Sequence, residues 1–373
     1  MSIEGLVNPH IRNLKPYSPG KPIEEVEREL GIRGSVKLAS NENPLGPSPR
    51  ALEALGGCTS AVHRYPDGSC FALRERLAAR MGLAPDQFVF GSGADEVLEL
   101  LAKTFLSPGD RVVMPWPSFA MYPLVARGMG AEPILVPLTD AMEHDFLALA
   151  KAVGEGAKMV MLCNPNNPTG TSFGAGALAD FVSEIPSDVV LVIDEAYFEF
   201  VRCTDFPDSL ALIAERPATI ALRTFSKIYG LAGLRVGYGI SDPELIGYLD
   251  RARHPFNVNS LAEAAALAAL DDDEHVRRTR EMNASGIEYL NRELGNLGYR
   301  VWPTDANFVL VETGAGYYDA LLRRGVIVRP MAGFGLGNHI RISVGTAEEN
   351  QVLVKALQAI EEGGSAVAAG GAS

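Results

Sequence analysis

The sequence predicts an α/β protein: a large domain with a mostly parallel seven-stranded sheet covered by helices, plus a smaller α+β domain. Three observations predict it. Seven short apolar runs recur between residues 87 and 240. Amphipathic stretches of helical period lie between most of them, the alternation that builds parallel sheets covered on both faces. Around Arg253–Ser260 the texture changes to a small-residue helix, a long charged helix and shorter mixed elements.

Taken in order, the first ~45 residues are rich in Pro, Gly and Asn and read as an extended arm with one short helix near Ile23–Leu30. The apolar runs are Gln87–Gly91, Arg111–Trp116, Glu132–Leu138, Lys158–Asn164, Val189–Asp194, Thr219–Phe225 and Arg235–Ile240. Ala94–Leu106 and Gly176–Glu184 carry the clearest helical patterns between them. Beyond them come a helix at Leu261–Leu270 and a long charged helix ending near Leu297. Tyr299–Trp302, Ala306–Glu312, Val326–Arg329 and His339–Gly345 follow as short runs, with helices at Tyr317–Arg324 and Ala347–Glu362. The expected division is a large domain at 46–258 and a small one from 1–45 with 259–363. A low-complexity, disordered tail at 364–373 ends the chain.

Composition narrows the function classes. The 373 residues carry 33 Lys+Arg against 46 Asp+Glu, a net charge of −13, which repels phosphate backbones and anionic membranes. Nucleic acid and membrane partners are therefore not expected, and an anionic ligand must be caught by local cations or helix N-termini. Four scattered cysteines form no CxxC pair, and six histidines show no HxxxH or HExxH spacing. No metal site is expected, and a reducing cytoplasm is the natural compartment. The N-terminal stretch lacks a signal peptide's apolar core, and no window approaches ~18 uninterrupted apolar residues.

Four motifs can carry chemistry. Phe90-Gly91-Ser92-Gly93-Ala94-Asp95-Glu96 reads as strand, turn and helix start, able to hold a phosphate on its amides or simply to be a capped turn. Glu96 stands where a dinucleotide fingerprint requires its third glycine, so that fingerprint fails. Asn164-Pro165-Asn166-Asn167-Pro168-Thr169-Gly170 makes a rigid polar turn at a strand's carboxyl end, where open α/β sheets bind ligands. A third apolar run ends in Asp194, with Tyr197 three residues on. Such a carboxylate can bind Mg²⁺, pair with a protonated ring nitrogen or cap a helix, and the absence of GxxxxGK[ST] removes the Mg–nucleotide version. The fourth is Arg223-Thr224-Phe225-Ser226-Lys227 followed by Gly230-Leu231-Ala232-Gly233-Leu234-Arg235-Val236-Gly237. A lysine between an apolar strand and a glycine-rich run is partly desolvated, which lowers its pKa and suits it to Schiff-base chemistry.

Together these motifs resemble the fold-type I pyridoxal-phosphate aminotransferases, and most closely the branch acting on histidinol phosphate. Further signatures extend the likeness through most of the chain: Leu38-Ala39-Ser40-Asn41-Glu42-Asn43-Pro44, Arg64-Tyr65-Pro66-Asp67-Gly68, Arg253 with Pro255-Phe256-Asn257-Val258-Asn259, Gly325–Arg329 and Arg341–Thr346. The resemblance implies pyridoxal 5'-phosphate as cofactor, held covalently by Lys227. Asp194 would pair with the ring nitrogen, Tyr197 and Asn167 with the ring's 3-oxygen, and Phe119 would stack on the ring. The amides of Ala94 and Asp95, with Ser226 and Arg235, would hold the phosphate. Tyr65 would reach that phosphate from the neighbouring subunit of a homodimer. Arg341 matches the arginine that clamps a substrate carboxylate, and Tyr17, Asn43 and Arg329 match substrate-pocket positions. The expected reaction is amino transfer between L-histidinol phosphate and 2-oxoglutarate, with glutamate closing the cycle. Aromatic amino-acid transfer is the nearest rival, since an Arg-lined pocket exchanges a phosphate for a carboxylate with little change. A phosphothreonine-type decarboxylase is a further alternative on the same scaffold. A non-catalytic pyridoxal-binding regulator would carry a DNA-binding domain, for which the arm and the acidic charge make no case.

Overall fold

The structure, a computed structural model, describes residues 3–16 and 20–370. Seven strands form the large sheet in the order Phe88–Gly91, Gly237–Ser241, Thr219–Thr224, Val190–Asp194, Ala157–Cys163, Arg111–Trp116, Glu132–Pro137. Six run parallel, and Gly237–Ser241 is antiparallel to both of its neighbours. All seven fall on the expected runs. The run at Arg235 becomes strand only at Gly237, because Arg235 takes a left-handed backbone conformation, φ 57°.

Burial explains why the central runs are apolar without alternation. Every residue of Val190–Asp194 and Thr219–Thr224 is buried. Successive side chains serve opposite layers: Met161, Val192 and Leu222 pack with Val97, Leu98, Leu101 and Tyr122 on one face. Val160, Leu162, Leu191 and Ile193 pack with Leu178 and Phe181 on the other. Each such side chain contributes roughly 1.5–3 kcal/mol by leaving water, so both faces need their helices.

Two helices, Pro49–Cys58 and Phe71–Met81, lie where no element was expected. They pack against Ser260–Leu270, whose Ala262, Ala265, Ala266 and Ala269 are buried in the same core as Leu73, Leu77, Phe225 and Tyr238. Small side chains allow this close approach. The helix just past residue 258 thus shares the core of the large sheet.

A four-stranded antiparallel sheet, ordered Arg329–Pro330, His339–Ser343, Phe308–Glu312, Arg300–Val301, forms the second half. Helices Asp273–Asn296 and Ala347–Gly370 cover it through Ile287, Leu290, Leu353 and Leu357. The run expected at Val326–Arg329 divides. Val326–Ile327 pairs in parallel with Val36–Lys37 of the arm, whereas Arg329–Pro330 joins the four-stranded sheet. The last helix extends through 364–370, where a tail was expected, over an alanine-rich segment of good helix propensity. Positions 371–373 lie outside the described residues. No helix among the described residues is long and apolar enough to cross a membrane.

Candidate active site

A cavity of about 270 Å³ opens at the carboxyl ends of the parallel strands, between the large sheet, the arm and the second sheet. The large sheet and its loops contribute Ala94, Asp95, Phe119, Asn167, Asp194, Tyr197, Ser226, Lys227 and Arg235. Gly20 and Ala39–Asn41 come from the arm, and Arg329 and Arg341 from the second sheet.

Asp194 ends its strand with its carboxylate buried. Its Oδ2 accepts from the Tyr122 hydroxyl at 2.7 Å and its Oδ1 from the Ala196 N–H at 3.1 Å. Burial pushes the carboxyl up to about 6, while those two donors act in the opposite direction by favouring the charged form. Lys227 is half-buried, and burial with the nearby Arg341 charge lowers its ammonium to about 8. Its Nζ lies 5.5 Å from the centre of the Tyr197 ring. The buried Tyr197 hydroxyl accepts from Asn41 Nδ2 at 2.9 Å.

At one end of the cavity lies an anion cradle. Ala94 and Asp95 open the helix Ala94–Phe105, whose first-turn N–H groups have no acceptor within the helix. The Arg235 guanidinium lies beside them, 3.2 Å from Asp95 Oδ2 and 3.4 Å from Ser226 Oγ. Two glycines make the approach possible. A Cβ on Gly93 would sit 2.4 Å from Arg235 Nη2, and one on Gly237 would sit 2.4 Å from the Ala94 nitrogen. Glu96 serves the turn itself, accepting from the Ser92 N–H and from Asn257 Nδ2.

The Asn-Pro turn uses its amides unequally. Asn164 closes the loop onto Phe173, and Asn166 ties it to Pro117, Ser118 and Thr169. Asn167 alone of the three lines the cavity, where its Oδ1 accepts from Arg341 Nη1. Arg341 also donates to the Ala39 carbonyl at 2.7 Å, and its guanidinium carbon lies 5.2 Å from the Phe308 ring centre. Arg329 is its register partner on the adjacent strand. Phe119 meets Tyr122 edge-on, ring centres 5.6 Å apart.

Two expected residues among the described ones, Asn43 and Tyr65, do not line the cavity. The Asn43 amide is buried and spent on the Ile228 carbonyl and Thr279 Oγ1, and Asn41, two residues earlier, faces the cavity instead. Tyr65 is 84% exposed and stacked on Phe256, away from the chain's own cavity. Tyr17 lies outside the described residues. Sequence reasoning in turn missed Tyr122 and Asn41 as parts of the site. Asn41 stood inside a quoted motif. Tyr122 follows Phe119 by three positions at the start of the helix Met121–Gly128, a spacing that sets two aromatics on one side.

Residues 33–357 match the family model described as aminotransferase class I and II. The chain belongs to the class I and II aminotransferases. Among curated relatives, this aminotransferase is 52% identical to the histidinol-phosphate aminotransferase of Symbiobacterium thermophilum, over 94% of the chain and 97% of the relative. It is 48% identical to that of Moorella thermoacetica, over 94% and 92%. A crystal structure of histidinol-phosphate aminotransferase from Sinorhizobium meliloti, in complex with pyridoxal-5'-phosphate, superposes with a TM-score of 0.84 at 30% identity. The match covers 94% of this chain and 96% of that one.

The donor set of this aminotransferase fits a phosphorylated pyridine aldehyde. A buried carboxylate suits a protonated ring nitrogen, the helix N-terminus with Arg235 suits a phosphate dianion, and an amine of lowered pKa suits the aldehyde.

Proposed function

We propose that the chain is a pyridoxal-phosphate-dependent enzyme that transfers an amino group between L-histidinol phosphate and 2-oxoglutarate. One observation carries the reading: Lys227, Asp194, Tyr197, the anion cradle and two arginines line a single cavity. The similarity to relatives named for histidinol phosphate supports the choice of substrate.

When bound, the cofactor supplies an electron sink for the carbanion that forms at the substrate's Cα. Lys227 Nζ would hold it covalently and, once free, would take the proton from Cα as general base. Its lowered pKa keeps a usable neutral fraction near pH 7. Asp194 keeps the ring nitrogen protonated, which a neutral carboxyl would not do, so the Tyr122 and Ala196 donors matter to the chemistry. Tyr197 and Asn167 hydrogen-bond the 3-oxygen, and Phe119 stacks on the ring. Ala94, Asp95, Ser226 and Arg235 anchor the phosphate. Arg341 binds the carboxylate of 2-oxoglutarate and Arg329 the phosphate of the donor, with Tyr17 and Asn43 completing the pocket, Asn43 from behind its wall.

A homodimer goes with this reading: the exposed Tyr65 reaches the phosphate of the neighbouring subunit's cofactor. The domains are 46–258 and 1–45 with 259–363, the helix Ser260–Leu270 bridging into the larger core. The four cysteines are free thiols, in keeping with a cytoplasmic setting.

Steady-state kinetics test the substrate. With 2-oxoglutarate as acceptor, kcat/KM for histidinol phosphate is expected to exceed that for phenylalanine by at least about tenfold, roughly 1.4 kcal/mol of transition-state binding. The reverse order would make the enzyme an aromatic aminotransferase.

A further inference from the structure

Asn41 is 1% exposed and links three parts of the molecule: the arm, the strand His339–Ser343 and the loop after Val190–Asp194. Its backbone N–H donates to Ser343 Oγ at 2.8 Å. The Ser343 hydroxyl donates in turn to Asn41 Oδ1 at 2.8 Å. This fixes which way the amide points. With Oδ1 on Ser343, Nδ2 is the end that meets Tyr197, at 2.9 Å from the hydroxyl. The backbone is pinned as well: Asn41 sits at φ 55°, a left-handed conformation asparagine tolerates, and its carbonyl accepts from Asn307 Nδ2 at 3.0 Å.

The chain of donors therefore has one direction. A phenol oxygen that accepts from an amide N–H turns its own proton elsewhere, and Tyr197 itself lines the cavity. With the amide reversed, Tyr197 would donate to Asn41 and offer the cavity only a lone pair.

We propose that Asn41 is a positioning residue that fixes Tyr197 as a hydrogen-bond donor toward the cofactor's 3-oxygen. The proposal rests on the placement of Tyr197 against that oxygen, and it adds where the direction of the bond comes from. The segment Ser40–Asn43 then does more than close the cavity, because it passes the position of Ser343 to the cofactor site.

The test is the pH titration of the visible absorption of the holoenzyme. A donor to the 3-oxygen draws off its negative charge and weakens its hold on the proton it shares with the lysine nitrogen. Losing that donor raises the titration midpoint. Tyr197→Phe is expected to raise it by about one unit, the usual size for one hydrogen bond to a charged group. Asn41→Asp, nearly isosteric, offers only acceptors and takes the phenol's proton, so it should raise the midpoint similarly. In the Tyr197→Phe background, Asn41→Asp should add nothing. A further rise in that background would mean the new charge acts through space, and an unmoved midpoint in Asn41→Asp alone would mean Tyr197 needs no orientation. Either result overturns the proposal while leaving Tyr197 in place. An unmoved midpoint in Tyr197→Phe overturns the placement of Tyr197 and this proposal with it. Should Asn41→Asp fail to fold, Asn41→Gly keeps the left-handed backbone without strain and leaves the phenol unoriented but with no rival acceptor, so it is expected to raise the midpoint by less than Tyr197→Phe does, and an unmoved midpoint there overturns the proposal.

Discussion

Tyr122 sets the charge of a residue it does not adjoin in sequence. Its hydroxyl meets Asp194 Oδ2 at 2.7 Å inside a site where burial already pushes that carboxyl up to about 6. Tyr122→Phe removes a donor to the charged form, so the carboxyl moves further up and a larger share is neutral near pH 7. The dissociation constant of the cofactor is expected to rise roughly tenfold, at about 1.4 kcal/mol for a hydrogen bond to a charged group. The loss should be greater at about pH 6.5 than at about pH 8, where Asp194 re-ionises; titrating apoprotein with cofactor at both values measures it. Lys227 gives a second expectation of opposite sign. Its ammonium is lowered to about 8, so only the neutral amine fraction, about a tenth at pH 7, can attack an aldehyde. The rate of apoprotein reconstitution should climb with pH through about 8 and then level off. A rate unchanged across that range would remove the lowered amine from the account. Asp194 and Lys227 were legible in the sequence because one ends an apolar strand and the other follows one by three residues. Tyr122 was not, because its partner is 72 residues away and only the strand order brings them together.

Among the elements, strands were read with most success, and the reason lies in their surroundings. A strand buried on both faces leaves an uninterrupted apolar run, and Val190–Asp194 and Thr219–Thr224 are such strands. Pro49–Cys58 and Phe71–Met81 gave no comparable signal. Their buried residues are few, Ala51 in one and Leu73, Leu77 and Ala78 in the other, so much of each helix remains polar or small. The split of Val326–Arg329 between two sheets was likewise hidden, since either pairing accepts the same apolar residues. The anion cradle is also a property of elements. Gly237 begins a strand beside the helix that starts at Ala94, and the two touch because no side chain separates them. Gly237→Ala would push a methyl to within 2.4 Å of the Ala94 nitrogen, so the helix start must shift. A shift there turns the first amides away from the phosphate. Cofactor affinity is expected to fall by at least about tenfold, with the thermal midpoint of the apoprotein lowered by less than about 8 °C. Isothermal titration of the apoprotein and a melting curve separate the two effects. Full affinity would show that the cradle tolerates the displacement.

For the whole molecule, a net charge of −13 coexists with a cavity lined by Lys227, Arg235, Arg329 and Arg341. Average charge governs encounters with long polyanions, whereas a small anion responds to the few groups within a Debye length of about 8 Å. The same scale decides whether the site is complete in one chain. Tyr65, 84% exposed and stacked on a Phe256 that is itself 45% exposed, presents an aromatic pair outside the chain's own cavity. If Tyr65 serves the neighbouring subunit, the two lesions Tyr65→Ala and Lys227→Ala must complement each other in a mixed dimer. The Lys227→Ala homodimer has no lysine to hold the cofactor and is expected to be inactive, and the Tyr65→Ala homodimer to be strongly weakened in both sites. In the hybrid, one site draws Lys227 from the first variant and Tyr65 from the second, so it is intact, while the other carries both lesions. Co-expression with two affinity tags isolates that hybrid. Its activity should recover to about half that of the unsubstituted dimer, from the one intact site of its two. Were Tyr65 to act within its own chain, every site in the hybrid would carry one lesion, and the activity would be no more than the average of the two parents.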